Sequence, residues 1–247
     1  MKISNLEYKI FSKQIALKKI GIIGQKKIKS SKVLVLGMGG LGCPLSVYLA
    51  SLGVGTIGIV DNDRVELSNL NRQIMYNSKD IGKYKVDVAK KIIKKINIKS
   101  IVKAYKIRID KKNIDKLICN FDIICDGTDN FETRLLINDH SLKQKKILIS
   151  AAVNGFDGQF FKFDFRKKSP CFRCFMPEIP NQNINCETGG VTPTITGIMG
   201  TLQANEVLNS ILNLKSKMEK KMIVFNSIKM IFRTINLSKS KNCKNKC

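Results

Sequence analysis

The chain has 247 residues, 43% of them hydrophobic, with 44 lysine and arginine residues against 19 aspartate and glutamate residues. These values predict one folded globular domain and exclude a disordered, collagen-like or coiled-coil protein. The formal charge of +25 favours an acidic protein partner over nucleic acid, because lysine is spread over the whole length and no zinc finger or RNA-recognition signature accompanies it.

The first residues, MKISNLEYKIFSKQ, lack the apolar core of a secretory signal, and no apolar run is long enough to span a membrane. We therefore expect a cytoplasmic localisation and no membrane partner. In that reducing compartment the eight cysteines are expected to be metal ligands, thiols or core residues before disulfides. Cys43, Cys119 and Cys125 lie within apolar patterns, which predicts core positions for all three.

The hydrophobic pattern alternates between helical and strand-like segments over most of the chain. The first predicted elements are helices at 5–15 and 25–28 separated by Gly21 and Gly24, a strand at 33–36, a glycine turn, a helix to Leu52 and a strand that closes on Asp61. A long polar loop follows at 62–84. After it the pattern predicts helices at 85–97, 111–119 and 131–144 that alternate with strands at 99–107, 121–125 and 147–150. This alternation predicts an α/β fold with a parallel, doubly wound sheet. The pattern then changes to an antiparallel strand at 155–165, a polar loop at 177–190, a helix at 194–214 and strands at 222–225 and 228–237.

Gly37, Gly39 and Gly42 follow the first strand with the G-x-G-x-x-G spacing of a nucleotide-binding turn. Glycines let the backbone approach a phosphate, and the start of the following helix favours an anion. Asp61, about 20 residues further on, is where a carboxylate accepts hydrogen bonds from a ribose. The turn alone is compatible with NAD as well as with ATP. The alternative to a nucleotide site is a turn with a purely structural role.

Charged residues downstream favour ATP. Arg72 and Lys85 flank a loop and a helix start, and Asp129 follows another strand end. Ligands of doubly wound sheets bind beyond the carboxyl ends of the strands, so the glycine turn, Asp61 and residues 126–130 are expected to converge. Two cations and a carboxylate are the groups that a triphosphate with Mg²⁺ requires. The alternative is that Lys85 is one lysine among many and that Asp129 caps the next helix.

Four cysteines have the spacing of a zinc site. Cys171 and Cys174 form a C-x-x-C pair, and Cys243 and Cys247 form a C-x-x-x-C pair. Together they suit a tetrahedral structural zinc, the alternative being a site that has been lost or altered. Cys186 lies instead in the polar loop, where exposure would make its thiolate available as a nucleophile.

A series of motifs extends in a fixed order over nearly the whole chain. They are GMGGLG, VDNDRVELSNLNRQ, the lysine of KYK, DGTDN, CFRC, NCETGGV, GTLQANE and a C-terminal cysteine pair. Jointly they resemble the ThiF/MoeB/HesA family of ubiquitin-activating-type adenylyltransferases. The resemblance implies a Rossmann-like, doubly wound, mostly parallel sheet with an antiparallel C-terminal extension and a structural zinc site. It also implies a single domain over 1–247, with N-terminal helices (1–30), a nucleotide-binding core (31–153) and a carrier-binding, zinc-stapled part (154–247).

By this resemblance the chain is a homodimeric enzyme that uses ATP and Mg²⁺ to adenylylate the C-terminal glycine of a ubiquitin-like sulfur-carrier protein, releasing pyrophosphate. The segments SKQI, PLSVYLA and MGTLQA look closer to the thiamine-thiazole branch, with a ThiS-like carrier, than to the molybdopterin branch, with a MoaD-like carrier. A sulfur-donor protein is a further implied partner.

The resemblance also assigns site residues. The ATP-binding set is Gly37, Gly39, Gly40, Gly42, Asp61, Asn69, Arg72, Lys85, Asp129 and Asn130. Within that set Asp61 contacts the ribose, and Asp129 ligates Mg²⁺. The phosphates are lined by Asn69, Arg72 and Lys85. Lys13 occupies the position of an arginine that reaches the phosphates of a neighbouring subunit, so the charge is kept but the bidentate fork is lost.

Cys186 matches a loop cysteine that, in ThiF-like members, can join covalently to the carrier. Two other functions stay open from the sequence. An NAD-dependent oxidoreductase would bind NAD in preference to ATP, although the sequence offers no acid or base for hydride transfer. A carrier-binding scaffold without turnover would bind the carrier and consume no ATP.

Overall fold

One mixed sheet of eight strands runs through the molecule. The computed structural model describes residues 2–177, 190–216 and 218–247. The strands are β1 (Lys32–Leu36), β2 (Thr56–Val60), β3 (Ile101–Tyr105), β4 (Ile123–Asp126), β5 (Ile147–Asn154), β6 (Asp157–Asp164), β7 (Lys221–Asn226) and β8 (Ile231–Asn236).

The strand order is β3-β2-β1-β4-β5-β6-β7-β8. Strands β1 to β5 pair in parallel, whereas β5 to β8 pair antiparallel. The order reverses between β1 and β4, and a crevice for ligands forms at such a point beyond the carboxyl ends of the strands. This arrangement confirms the predicted α/β fold with a mostly parallel sheet and antiparallel C-terminal strands.

Helices cover both faces of the sheet. They are α1 (Asn5–Ile15), α2 (Gly21–Ser30), α3 (Gly42–Leu52), α4 (Lys85–Ile96), α5 (Ile114–Ile118), α6 (Phe131–Lys143), α7 (Phe172–Phe175) and α8 (Pro193–Ile211), with short 3-10 turns at Leu67–Asn69 and Ser78–Asp80. One face is covered by α3, α4 and α8 around a core that includes Val35 and Leu45. The other is covered by α5, α6 and α7 around a core rich in phenylalanine, including Phe121 and Phe163. None of the described helices is long and apolar enough to cross a lipid bilayer.

The N-terminal glycines differ from their sequence prediction. Helix α2 begins at Gly21 and continues through Gly24, although the pattern predicts a break at both. A β-carbon at Gly24 would lie 3.0 Å from Cδ2 of Leu212. Gly24 therefore allows α2 to pack closely against the residue that follows α8, and close packing rather than flexibility explains this glycine.

The core cysteines are predicted correctly in two cases out of three. Cys43 and Cys125 are buried, whereas Cys119 is exposed. Helix α5 is shorter than predicted and fills its inner side with Ile114, Leu117 and Ile118. Cys119 follows that helix and so lies on the solvent side, which corrects the prediction.

Candidate functional site

The segment after β1 is a tight glycine turn. Gly37 adopts a φ of +90°, which favours glycine, and its N–H donates to the carbonyl of Val60 over 2.9 Å. A β-carbon at Gly42 would lie 1.9 Å from the carbonyl oxygen of Gly37. At Gly39 the nearest atom to such a β-carbon is the amide nitrogen of Gln73, at 3.8 Å. The turn is therefore closed on its inner side and open at Gly39, where a phosphate can approach the backbone.

The peptide groups of Met38, inside this turn, are fixed from two sides. Its N–H donates to Oδ2 of Asp61 over 2.7 Å, and its carbonyl accepts a hydrogen bond from Tyr76 Oη over 2.8 Å. Oδ1 of Asp61 accepts from the N–H of Asp63 over 2.8 Å. Each carboxylate oxygen has a further lone pair, so ribose hydroxyls can still donate to Asp61. Burial raises the pKa of the Asp61 carboxyl, while backbone N–H donors and the charge of Lys85 oppose that rise.

Lys85 is the first residue of α4 and is only 6% exposed. Its ammonium lies 2.9 Å from Oδ2 of Asp63, and its backbone N–H donates to the carbonyl of Asp63 over 3.0 Å. The Asp63 side chain is 58% exposed, so the pair opens to solvent at the strand ends. Lys85 is thus an oriented cation near Asp61, which distinguishes it from the surface lysines of the same helix.

The segment before α4 adds three polar side chains to the same edge of the sheet. Asn69 is buried, and Arg72 is half-buried with Nη1 donating to the carbonyl of Ser68 over 2.9 Å. Gln73 is buried beside Gly39, and its Oε1 has no hydrogen-bond partner among the described residues. A buried acceptor without a donor costs about 1–3 kcal/mol. Gln73 is therefore a buried polar side chain that packs beneath the open side of the turn, with its Nε2 nearest to Gly39.

The loop after β4, residues 126–130, packs against the glycine turn. A β-carbon at Gly37 would lie 2.9 Å from the carbonyl oxygen of Gly127. The N–H of Gly127 donates to the carbonyl of Leu36 over 2.9 Å. The structure thus brings together the three segments that the sequence expects to converge: the glycine turn, Asp61 and residues 126–130.

The end of this loop separates two neighbouring side chains. Asn130 caps α6, since its Oδ1 accepts a hydrogen bond from the N–H of Thr133 over 2.8 Å. Asp129 is exposed, with Nδ2 of Asn130 at 3.5 Å from its Oδ1. The alternative prediction, in which Asp129 is the N-cap of α6, is therefore wrong. Its carboxylate is available to a cation, and oxygen ligands of this kind are what Mg²⁺ prefers.

Lys13 is kept apart from this site within its own chain. It is exposed in the last turn of α1, and α1 is attached through Gln14, whose amide donates to the carbonyl of Leu52 over 2.9 Å. Leu52 ends α3, whereas the glycine turn lies at the start of that helix. Its 11 residues span roughly 16 Å. The predicted contact of Lys13 with phosphates therefore requires a neighbouring subunit.

The four predicted zinc ligands come together, which confirms the cluster. All four sulfur atoms lie within 4.8 Å of one another, with 3.6 Å between Cys171 and Cys243 and 3.2 Å between Cys174 and Cys247. A tetrahedral zinc with Zn–S bonds of about 2.3 Å places its sulfurs about 3.8 Å apart, so the four thiols fit a structural zinc. Burial raises the pKa of the Cys171 thiol to about 11, and zinc binding would have to displace that proton. Cys186 lies outside the described residues.

Helix α6 carries the polar groups that anchor the cysteine segments. Asp139 accepts a bidentate pair of hydrogen bonds from Arg173, at 2.8 and 2.7 Å, and a third from Nδ2 of Asn245 at 2.7 Å. Oδ1 of Asn138 accepts from the N–H of Phe172 over 2.8 Å. Groups of this kind, behind the ligands, orient a metal site.

Three residues of the site escape the sequence analysis: Asp63, Gln73 and Arg134. Asp63 and Gln73 lie in the long polar loop, where no periodicity separates a buried polar residue from an exposed one. Arg134 did leave a signal, because it lies one turn before Asn138 on the buried side of α6. A charged residue on the inner side of a helix indicates a buried partner.

Comparisons with known proteins agree with this geometry. The ThiF family model matches residues 11–246. Adenylyltransferase and sulfurtransferase MOCS3 of Culex quinquefasciatus is 39% identical over 238 residues, which cover 96% of this chain and 54% of that protein. The probable molybdopterin-synthase adenylyltransferase of Gracilaria tenuistipitata var. liui is 37% identical over 241 residues, which cover 97% of this chain and 68% of that protein. The chain thus spans about half the length of the MOCS3 relatives that it matches.

A solved structure supports the fold. E. coli MccB with MccA-N7isoASN aligns with a TM-score of 0.84 over 99% of this chain and 76% of that chain. At 23% identity this likeness carries the architecture alone.

Proposed function

The chain belongs to the ThiF family, and on this premise we propose that it uses ATP to adenylylate the C-terminal carboxylate of a ubiquitin-like sulfur-carrier protein. Pyrophosphate is the second product. The observation that carries the proposal is the convergence on one glycine turn of the buried cation Lys85, the segment that bears Arg72, and the loop that ends in the exposed Asp129. Two cations and a carboxylate suit a triphosphate with its metal, whereas hydride transfer requires none of them.

The proposed reaction needs charge placement and no general base. A C-terminal carboxylate is ionised at neutral pH, so its oxygen can attack the α-phosphorus directly. A bond from that oxygen to phosphorus forms as the bond to the pyrophosphate oxygen breaks. Asp61 orients the ribose, and Arg72 and Lys85 stabilise the negative charge of the leaving pyrophosphate. Asp129 would hold Mg²⁺, which when bound supplies further positive charge at the phosphates.

A MoaD-like, molybdopterin-type carrier is the first candidate substrate. The segments SKQI, PLSVYLA and MGTLQA favour the thiazole branch, but the names of the relatives support the molybdopterin branch better. Those short segments include few positions, whereas identity to the relatives extends over almost the whole chain. The preference for a ThiS-like carrier is therefore replaced by one for a MoaD-like carrier.

Three further parts of the proposal concern groups beyond the glycine turn. We propose a homodimer in which Lys13 of one subunit reaches the phosphates of the other, and a structural zinc on the four clustered cysteines. We also propose a covalent adduct, a thioester that forms when the Cys186 thiolate attacks the acyl carbon of the carrier adenylate and AMP leaves. Native mass spectrometry after incubation with ATP and a carrier reports the adduct and the metal together. An unchanged mass in the presence of carrier adenylate would remove the role of Cys186.

Pyrophosphate exchange into ATP tests the function directly. The protein is incubated with ATP, labelled pyrophosphate and a carrier that ends in Gly-Gly, of either the molybdopterin or the thiazole type. We expect exchange with the molybdopterin-type carrier and much less with the thiazole-type one. Carrier binding without exchange would favour the scaffold hypothesis, and absence of exchange with both carriers would sink the proposal.

Asp129→Ala tests the assigned metal ligand. Loss of a group that holds charge at the reacting phosphates is expected to lower exchange by about 100-fold or more. Glu132→Ala is the matched control, because Glu132 is also an exposed carboxylate in the first turn of α6 and has no assigned role. Full exchange by Asp129→Ala, or an equal loss in the control, would remove Asp129 from its role.

A further inference from the structure

Arg134 joins two segments of the site without facing the glycine turn itself. It is 4% exposed on the first turn of α6. Its Nη2 donates to the carbonyl of Thr128 over 2.7 Å and to the carbonyl of Ala151 over 3.0 Å. Its Nε lies 3.2 Å from Oδ2 of Asp126. The guanidinium therefore ties the loop after β4 to strand β5.

Asp126 completes a buried network around the same loop. It is fully buried, and its Oδ1 accepts hydrogen bonds from the N–H of Thr128 over 2.9 Å and from the hydroxyl of Thr128 over 2.6 Å. Its Oδ2 accepts from the hydroxyl of Ser150 over 2.6 Å, and its carbonyl accepts from Nε2 of Gln203 over 2.8 Å. Removing one member of such a network leaves a buried polar group unpaired, so the network has one favoured arrangement.

The residue that this network holds directly precedes Asp129. Thr128 is bonded through its N–H, its hydroxyl and its carbonyl, while Oδ1 of Asp129 lies 3.5 Å from Nδ2 of Asn130. The position of that carboxylate therefore depends on the backbone of the loop more than on contacts of its own.

We propose that Arg134 is a positioning residue that fixes the 126–130 loop and so presents Asp129 to the phosphate site. Its Nη2 donates to two carbonyls and its guanidinium forms an ion pair with Asp126, so Arg134 acts through the loop. A planar guanidinium bonds several acceptors at once, which an ammonium on a flexible stem cannot reproduce. The binding of a cation by Asp129 rests on the proposed function. The hold of Arg134 on the 126–130 loop, called the clamp below, does not.

Hydrogen exchange of the backbone amides at 127–130 tests the clamp without any substrate. Arg134→Lys keeps the charge, and Asp126→Asn keeps the shape of its partner. Both are expected to speed exchange at 127–130 by about 10- to 100-fold, the scale set by one lost charge-assisted hydrogen bond. Ile137→Val is the control, since Ile137 is fully buried on the same helix and has no part in the network. It is expected to leave these amides at the wild-type rate.

The second readout separates positioning from general damage. In pyrophosphate exchange, Arg134→Lys is expected to raise the Mg²⁺ concentration for half-maximal rate by roughly tenfold or more, the order of effect of a displacement near 1 Å. The KM for the carrier should stay unchanged, and Ile137→Val should behave as wild type.

Each outcome has a distinct meaning. Wild-type amide exchange at 127–130 in both network variants, or equal acceleration in Ile137→Val, would overturn the clamp. If Arg134→Lys does not fold, the isosteric Asp126→Asn decides the same question. A wild-type protein that shows no pyrophosphate exchange would remove the proposed function, and the amide measurement would still decide the role of Arg134.

Discussion

The glycine turn and the cysteine cluster are both assembled from segments that are distant in sequence, but they are held by different means. Around the turn, backbone groups meet buried polar side chains, as where Met38 bonds both Asp61 and Tyr76. Around the cysteines, sulfur atoms face one another at 3.2 to 3.7 Å. Thiols are weak hydrogen-bond donors and acceptors, so the second arrangement gains little until a metal binds.

This difference indicates which of the two sites is ordered without a bound ligand. The nucleotide side is preorganised by hydrogen bonds that exist without any ligand, so binding spends little free energy on ordering it. On the cysteine side, a bound metal would couple to folding, because the four thiols come together only in the folded chain. Helix α6 borders both, with Arg134 near its start and Asp139 near its end.

The largest expected effect on stability comes from a substitution in the cysteine cluster. Cys243→Ser removes one of the four clustered thiols, itself buried, and loss of a structural metal belongs to the class of changes that cost roughly 4 kcal/mol or more. For a chain of this size that corresponds to a fall of roughly 10 °C in the thermal midpoint. Calorimetry and metal analysis of the purified protein measure both.

Cys119→Ser is the matched control for that experiment. Cys119 is an exposed cysteine outside the cluster, so its midpoint and its zinc content should equal those of the wild type. A wild-type protein that carries no zinc, together with an unchanged midpoint for Cys243→Ser, would show that the cluster is not a metal site.

The next largest effect comes from the turn. Gly42→Ala would place a β-carbon 1.9 Å from the carbonyl oxygen of Gly37, and that backbone must move. We expect a loss of about 3 kcal/mol, at the upper end of overpacking costs, and loss of ATP binding, measured by urea unfolding and calorimetric titration. Gly39→Ala meets its nearest atom only at 3.8 Å, so it should keep its stability while ATP binding weakens. Equal destabilisation by both would contradict a turn that is closed inside and open at Gly39.

The glycine-turn site and the cysteine cluster differ in how many of their residues the sequence predicts. The cysteine set follows from spacing, because structural zinc sites take four cysteine or histidine ligands that come in closely spaced pairs. The glycine turn and Asp61 follow from the order of strand, turn, helix and strand. Asp63, Gln73 and Arg134 could not be assigned roles, since burial of a polar side chain depends on which segments meet, and those contacts are between elements distant in the chain.

The same limit explains the local errors in the fold. Periodicity identifies α1 and α4 closely, because their apolar stripes face a core. Cys119 fits an apolar pattern but follows a helix of five residues, too short for periodicity to fix which side is buried. At Gly24 the sequence predicts a break, because the close approach of Leu212 is a tertiary contact that the local pattern does not contain.

The smallest expected effect tests whether α6 is also held at its exposed end. Asp115 on α5 lies 2.7 Å from Nδ1 of His140 and 2.8 Å from both Nζ of Lys143 and Nε2 of Gln144. These partners, His140 first, hold the pKa of the Asp115 carboxyl well below its usual range. Since the group is partly exposed, solvent screens the interaction, and Asp115→Asn should cost at most about 1 kcal/mol at neutral pH.

The contribution of Asp115 to the free energy of unfolding depends on pH with a definite sign. A carboxyl with a lowered pKa in the folded state stabilises the protein above its unfolded pKa of about 3.9, and that contribution is lost as the pH falls towards the folded pKa. The difference in unfolding free energy between wild type and Asp115→Asn should thus be present at pH 5 and shrink below about pH 4. Urea titrations across that range measure it. A difference that grows as the pH falls would show that Asp115 is not stabilised as a carboxylate, and its contacts would then contribute nothing to holding the end of α6.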